Sequence, residues 1–505
     1  MRPDPAGLVP GDAADGALLA QVHPPGWTNP EPKPRYHLVV IGAGTGGLVS
    51  AAGAAALGAR VALVERHLMG GDCLNVGCVP SKAVIGAARG WHAARRAAAD
   101  LHGPAATGDG DFTAVMARMR RLRAGLAPVD GAPRFQALGV DVFLGDARFT
   151  GPDTAEVDGR VLRFRRAIIA TGARAALPEI PGLADAAPRT NETIFALTER
   201  PASLVVLGAG PIGCELAQAF ARLGCRVALV DRAPRILPRD DADAAAIVQR
   251  ALAADGVALH LGVTPLRVER EGARRVLVVR AADAELRLAG DELLVAAGRR
   301  PNVEGLGLEA AGVAHDARGV RVDDRLRTAN PRIYAVGDVC SALQFTHAAD
   351  AQARLALRNA LFLGRARASR LVVPWCTYTA PEVAHVGLTR EAAAAEGVAL
   401  DEVTVDLRDV DRAVLDGETE GFLRVLLRRG TDRIVGATLV AAHAGDLIGE
   451  AALAITAGLG LGAIGATIHP YPTQGEVFRK AADQWNRRRL TPSAQAWLAR
   501  WFRLW

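Results

Sequence analysis

Hydrophobic and polar positions fall into short blocks whose period changes at glycines. His37-Leu-Val-Val-Ile41 is an unbroken apolar run, Gly42-Ala-Gly44-Thr-Gly-Gly47 a glycine turn, and Leu48 to Leu57 an alanine-rich stretch. A second apolar run, Arg60-Val-Ala-Leu-Val64, ends at Glu65. Short apolar runs bounded by glycine predict buried strands, and strand, turn, helix and strand within about 30 residues predict a βαβ unit. The order returns at Ser203-Leu-Val-Val-Leu207, Gly208-Ala-Gly210-Pro-Ile-Gly213, a helix from Glu215, and Arg226-Val-Ala-Leu-Val230 ending at Asp231. Ala167 to Gly172 and Ile333 to Asp338 read as further strands breaking into loops. Beyond Pro374, runs such as Gly421 to Leu427 and Ile434 to Val440 alternate with helical stretches and carry no glycine fingerprint.

These blocks predict an α/β fold, and 505 residues exceed what one core supports. Segment edges follow the pattern changes. Residues 1–35 are expected to be a disordered leader, 36–190 and 316–372 two parts of one nucleotide-binding domain, and 191–315 a second such domain. Residues 373–486 form a separate C-terminal domain, and 487–505 a tail rich in Trp and Arg.

Composition narrows the function. The formal charge of +6 is spread along the chain with no long run of one sign, which argues against a nucleic-acid partner. The leader lacks a basic segment followed by an apolar one, so no secretory signal is expected, and no apolar run is long enough to span a membrane. Six cysteines without an export signal suggest a reducing compartment, the cytoplasm, where a close pair is more often catalytic or metal-binding than structural. No resident metal site is expected. Among 60 basic residues only Lys33, Lys82 and Lys480 are lysine. Where arginine has otherwise taken over, a retained lysine hints at chemistry that needs a compact charge with an adjustable pKa.

Glycines 42, 44 and 47, and again 208, 210 and 213, allow a tight turn, close backbone approach to a pyrophosphate, and packing of helix on strand. The motif alone is weak. Glu65 and Asp231 fill the acidic place about 20 residues on, where a carboxylate accepts from a ribose hydroxyl. One dinucleotide as FAD and the other as NAD(P)H would suit electron transfer. Asp231 favours NADH, although neighbouring Arg232 offers a partner for a 2′-phosphate.

Directly after the first fingerprint comes Gly70-Gly71-Asp72-Cys73-Leu-Asn-Val-Gly77-Cys78-Val-Pro-Ser-Lys82. Residues five apart rise about 7.5 Å in a regular helix, too far for most disulfides, so Gly77 and Pro80 are expected to distort the segment. A thiolate near a helix N-terminus or a lysine has a lowered pKa.

This run resembles the active-site signature of the class I pyridine nucleotide-disulfide oxidoreductases, which include lipoamide dehydrogenase, glutathione reductase and mercuric reductase; the resemblance extends from Tyr36 to Arg487. It implies two Rossmann-like domains, the first for FAD and the second for NAD(P), and a C-terminal α+β dimerisation domain. By the same resemblance Cys78 is the sulfur next to the flavin and Cys73 the one that exchanges with substrate. Lys82 and Glu215 would pair beside the flavin ring. Gly71, Thr171, Gly172, Gly337 and Asp338 would contact FAD, and Gly298 and Arg299 would line the nicotinamide side. A homodimer is implied, each site being completed by the partner chain. Cys214, Cys225, Cys340 and Cys376 are expected to be packed thiols.

The sequence departs from the thiol-disulfide members at one place. Their His-Pro-Thr-x-x-Glu stretch supplies a base held by glutamate, whereas here His469-Pro-Tyr471-Pro-Thr-Gln-Gly-Glu476 puts Tyr471 in the base position. A phenol with its ordinary pKa near 10 is a poor base at neutral pH, which disfavours dithiol exchange. Mercuric reductases are similar in placing Tyr there, and the chain reads as closest to mercuric reductase-like flavoproteins. They also end in a cysteine pair, and many carry an N-terminal Cys-x-x-Cys domain; the tail 496–505 and the leader hold no cysteine. Acceptors therefore range over a metal thiolate such as Hg(II), a quinone or an unusual disulfide, with a dihydrolipoamide dehydrogenase or a flavin redox sensor as alternatives. In the tail, Trp497, Trp501 and Trp505 recur every four residues with Arg500 and Arg503 between them. Docking on the protein's own surface is one reading and weak membrane-surface contact another.

Overall fold

The computed structural model describes residues 8, 10–104, 108–362 and 364–504. The fold is α/β, and the chain divides into two compact units. The first comprises Met1–Gly208, Ala219–Arg232 and Val263–Leu371, the second Ala209–Gln218, Ala233–Gly262 and Val372–Trp505.

The first unit is built on a seven-stranded sheet. Strands β1 (Tyr36–Ile41), β2 (Val61–Glu65), β3 (Asp141–Leu144), β4 (Ala147–Gly151), β5 (Thr154–Val157) and β6 (Arg160–Ile169) lie in the order β3-β2-β1-β6-β5-β4, and Ile333–Ala335 pairs with β6. β3, β2, β1 and β6 run parallel, whereas β4 to β6 form an antiparallel meander. Parallel strands are covered on both faces, so continuous apolar runs are what they need. Leu38 and Val40 enter one buried cluster and Val39 and Ile41 the other. Helices α1 (Ala13–Val22), α2 (Thr45–Ala56), α3 (Gly71–Asn75), α4 (Cys78–Asp100), α5 (Phe112–Leu126) and α6 (Thr346–Leu361) complete the part that concerns the site. The second fingerprint region contributes parallel strands Ser203–Leu207, Arg226–Asp231 and Glu292–Val295 to this unit.

The leader differs from expectation. Residues 1–7 and 9 lie outside the described residues, but Asp12 caps α1 by accepting from the Ala14 and Asp15 amides. Leu18 and Val22 are fully buried, Trp27 donates to the Val142 carbonyl, and Asn29 bonds Leu144 in both directions. Pro, Gly and Asp abundance suggested disorder; a few well-spaced apolar and capping residues outweigh it.

The second unit centres on a five-stranded antiparallel sheet, Trp375–Thr377, Glu382–Gly387, Ile434–Ala441, Phe422–Arg428 and Leu400–Asp406 in that order. Helix α7 (Glu476–Arg489) packs into its core through Val477, Phe478, Ala481 and Ala482. Arg424 fastens helix Ala242–Ala254 to this sheet, pairing with Asp241 at 2.6 Å, Asp243 at 2.8 Å and Glu402 at 3.0 Å. Helix α8 (Pro492–Phe502) follows, with Ala494 and Leu498 half-buried and none of its residues fully buried; Trp505 lies outside the described residues. Among the described residues no helix is long and apolar enough to cross a membrane.

Candidate active site

The first fingerprint is built from close backbone contacts. A Cβ on Gly42, whose φ is +99°, would meet the Ala170 carbonyl oxygen at 2.4 Å, and one on Gly47 would strike the Gly42 oxygen at 1.8 Å. A Cβ on Gly71 would fall 2.6 Å from the Gly44 Cα, so the cysteine turn lies against the fingerprint itself. Gly44 caps α2 without a side-chain bond, leaving the first-turn amides facing the cleft with the positive end of the helix dipole. At the end of β2, buried Glu65 accepts from the Ala43 amide at 2.7 Å and the His67 amide at 2.9 Å, and burial still pushes its carboxyl up. Each carboxylate oxygen keeps a second lone pair for a ribose hydroxyl. This cradle fits a dinucleotide pyrophosphate and ribose.

The far wall comes from three segments knitted together. Thr171 Oγ1 donates to the Asn302 carbonyl at 2.8 Å, and the Asn302 amide donates to the Gly172 carbonyl at 2.9 Å. Gly337, with φ +76°, donates its N–H to Gln352 of α6 at 2.8 Å. Asp338 follows, its carboxyl pushed up by burial and held back by Arg299, whose Nε lies 3.3 Å from it. Arg299 also pairs with Asp72 and donates to the Ala173 carbonyl at 2.9 Å. Thus Arg299 stands between the residue before Cys73 and the flavin-assigned Asp338. This contact is with the flavin-assigned side, whereas the family resemblance groups Arg299 with Gly298 on the nicotinamide side.

Cys73 lies on α3 and Cys78 opens α4, with Gly77 between them breaking the helix. A Cβ on Gly77 would meet the Asp72 carbonyl oxygen at 2.8 Å, so only glycine folds the turn this tightly. The Cys78 thiol hydrogen-bonds to Cys73 and, together with burial, pushes the Cys73 thiol well up. Cys78 Sγ is 3.3 Å from Thr346 Oγ1 at the start of α6. Cys78 thus sits at the first turn of a 23-residue helix whose dipole favours a thiolate. Thr346 was not anticipated; nothing in the local sequence marks it, because its role comes from a contact 268 positions away. Lys82, half-buried, is one turn further along α4.

In the second fingerprint Gly208, with φ +112°, repeats the arrangement of Gly42: a Cβ would lie 2.5 Å from the Ala296 carbonyl oxygen. Asp231 ends its strand half-buried, and Arg232 is exposed. Gly210, Gly213 and Glu215 belong to the second unit, where the Glu215 carboxylate accepts from the Tyr378 amide at 2.9 Å.

Tyr471, 69% exposed, donates its hydroxyl to Asp411 at 2.9 Å. That hydrogen bond, and the negative charge of Asp411, push the phenol pKa up. Glu476 is buried and pairs with Arg479 on the same helix. His469 bonds Glu450 at 2.9 Å and the Thr467 carbonyl at 3.0 Å. Burial pushes the Cys225 and Cys340 thiols up to about 12, as befits packed thiols. Among the described residues no cluster of three or more His, Cys, Asp or Glu side chains is arranged to hold a metal.

Residues 36–353 match the pyridine nucleotide-disulphide oxidoreductase family, and residues 373–482 match its dimerisation domain. The chain belongs to this family. It is 34% identical over 474 residues to the mercuric reductase of Bacillus cereus, a match covering 94% of this chain and 75% of that protein. It is 36% identical over 461 residues to the dihydrolipoyl dehydrogenase of Thermus scotoductus, covering 89% and 97%. Among solved structures it resembles the Cu(II) complex of the HOCl-induced flavoprotein disulfide reductase RclA from Escherichia coli, with a TM-score of 0.77, 28% identity, and 88% and 98% coverage. As a pyridine nucleotide-disulphide oxidoreductase, the chain is an enzyme that uses FAD and NAD(P)H, and its dimerisation domain supports a homodimer.

Proposed function

We propose that the enzyme draws two electrons from NAD(P)H to reduce a Cys73–Cys78 disulfide, and delivers them from the resulting thiols to an acceptor that needs no histidine base. The observation that carries this is the pair itself, two thiols in mutual hydrogen-bond contact, one at a helix N-terminus and both beside the first glycine cradle. Gly42, Gly44, Gly47, Glu65, Gly71, Thr171, Gly172, Gly337 and Asp338 would hold FAD, which supplies the two-electron relay between nicotinamide and sulfur. Cys78, the helix-end sulfur, is the one kept beside the flavin, in hydrogen-bond contact with the Thr346 hydroxyl. Cys73 faces the acceptor. Arg299, bound to Asp72 and Asp338, is assigned here to placing the flavin side of the site. Lys82 and Glu215 would tune the flavin ring, and Gly208, Gly210, Gly213, Asp231, Arg232 and Gly298 would bind the nucleotide, with Asp231 favouring NADH.

The acceptor follows from Tyr471. A phenol whose pKa is raised by Asp411 stays protonated at neutral pH and can donate a hydrogen bond but cannot take the proton of an exchanging thiol. Lipoamide and glutathione disulfide are therefore poor substrates despite the dihydrolipoyl dehydrogenase relatives. A soft metal bound as a thiolate complex suits the site better, since when the Cys73 thiol displaces one ligand of Hg(SR)2 the leaving thiolate takes its proton as RSH, and no separate base is needed. The balanced reaction is Hg(SR)2 + NAD(P)H + H+ giving Hg(0) + 2 RSH + NAD(P)+. The test is a panel of Hg(II) with excess small thiol, lipoamide, glutathione disulfide, quinones and oxygen. NAD(P)H oxidation stimulated by the metal thiolate is expected. Vigorous lipoamide or glutathione turnover would overturn the reading of Tyr471, and a flavin that reduces once and is restored by no acceptor would make the protein a sensor.

A further inference from the structure

Helix α1 lies outside the βαβ core, yet it is fastened to the turn that carries Cys73. Leu18 and Val22 share a buried cluster with Leu68, Met69 and Leu74, which flank that turn. Polar ties hold both of its ends. The Met69 amide, just before Gly70, donates to the Val22 carbonyl at 3.0 Å. At the other end, Arg123 Nη1 donates to the Asn75 carbonyl at 2.9 Å, and Nη2 of the same guanidinium pairs with Asp15 of α1 at 2.8 Å. The Asp15 and Arg123 side chains are only 1% and 6% exposed. Asn75 closes the turn itself, its Nδ2 donating to the Met69 and Gly71 carbonyls at 3.0 and 2.9 Å.

A planar guanidinium with one arm on a buried carboxylate and the other on a backbone carbonyl fixes distance and angle together. As a stability device the pair is poorly suited, because apolar side chains of similar volume usually serve as well or better in a buried position. Its place at the end of the cysteine turn points to positioning. We propose that Asp15 and Arg123 are positioning residues for the Cys73–Cys78 pair. They hold α3 so that the Cys73 thiol stays within reach of Cys78, which raises the effective concentration of one sulfur at the other and favours the disulfide. The inference rests on the redox role given to that pair above.

The test uses the FAD-loaded full chain, equilibrated in glutathione or dithiothreitol redox buffers. The reaction followed is two thiols plus oxidised buffer giving the disulfide plus two buffer thiols. Free Cys73 and Cys78 are counted by alkylation and mass spectrometry, alongside thermal unfolding. The double variant Asp15→Leu/Arg123→Met replaces the ion pair with apolar volume. It should keep its unfolding midpoint and lose about tenfold in the disulfide equilibrium constant, a potential higher by about 30 mV. Arg123→Lys keeps a cation against Asp15 but loses the second arm, and should shift the constant in the same direction. A constant unchanged in both variants overturns the proposal. So does a double variant that unfolds while Arg123→Lys behaves as the unaltered enzyme, since the pair then serves stability alone. If the unaltered chain forms no Cys73–Cys78 disulfide in any buffer, the redox reading fails and the positioning role falls with it.

Discussion

Cys73 and Tyr471 sit on turns of opposite character. The cysteine turn is locked within its own unit: glycines 44 and 71 touch, Asn75 ties it to itself, and Arg123, Arg299 and Met69 tie it to three neighbouring segments. Tyr471 projects from the surface of the second unit, held by one hydrogen bond to Asp411. Sulfur chemistry depends on geometry fixed to a fraction of an ångström, and the first turn supplies it. The second turn offers a hydroxyl hydrogen-bonded to Asp411, which the proposed reading sets in the place of a base. On the proposed reading, electron delivery to sulfur and proton handling at the acceptor are separable parts, the first resting on the rigid turn and the second on the outward one.

The largest effect should come from the rigid turn. Cys73→Ser and Cys78→Ser should each lower steady-state NAD(P)H oxidation with any thiol-dependent acceptor by about three orders of magnitude, measured as kcat/KM. Retained turnover in either variant would separate the activity from the pair. Restoring a base should act the other way. Tyr471→His is expected to raise lipoamide or glutathione disulfide turnover by about tenfold, at the low end of what general base catalysis contributes in a site not otherwise shaped for it. Tyr471→Phe should leave those rates as low as they were. If all three side chains behave alike, Tyr471 does not limit dithiol exchange.

The sheet of the second unit carries an acid-sensitive group. His385 is 2% exposed, bonds Thr438 Oγ1 at 2.8 Å and packs against the Trp375 ring, and burial lowers its pKa to about 4 from the ordinary 6.5. Between those values the unfolded chain binds the extra proton and the folded chain does not. Stability is therefore present above about pH 6.5 and falls as pH drops toward 4, by up to about 3 kcal/mol. Unfolding midpoints from pH 7 to 4 should show this slope, and His385→Gln should flatten it. The smallest effect concerns α8. Trp497 and Trp501 stack with centroids 5.9 Å apart and are exposed beside Arg500 and Arg503, and the membrane-surface reading of this tail can be tested directly. We expect co-sedimentation with anionic but not neutral vesicles, lost when the chain ends at Leu490; equal recovery from both would remove the membrane reading.

The fingerprints were legible because some of their glycines are demanded by close approaches: Gly42 and Gly208 face carbonyl oxygens that no Cβ could clear, and a Cβ on Gly47 would strike the Gly42 oxygen. Continuous apolar strands were legible for the same kind of reason, since a parallel sheet buries both faces. Helix starts were less so: the second fingerprint helix begins at Pro211 rather than Glu215, proline being well suited to a first turn. What the sequence hid is long-range pairing. Nothing local to Arg123 points to Asp15 or Asn75, nothing near Thr346 points to Cys78, and Arg299 meets Asp72 across 227 positions. The leader was misread because composition, which describes an average, outweighed a few residues that act singly.

The proposed division of roles between the two sulfurs can be read from the visible absorbance of the FAD-loaded enzyme. A thiolate beside the flavin gives a long-wavelength charge-transfer band. Limited reduction of the unaltered enzyme should produce this band, Cys73→Ser should show it without any reductant because Cys78 then has no disulfide partner and remains a thiolate, and Cys78→Ser should never show it. Identical spectra from the two variants would mean that the sulfurs do not divide the roles in this way.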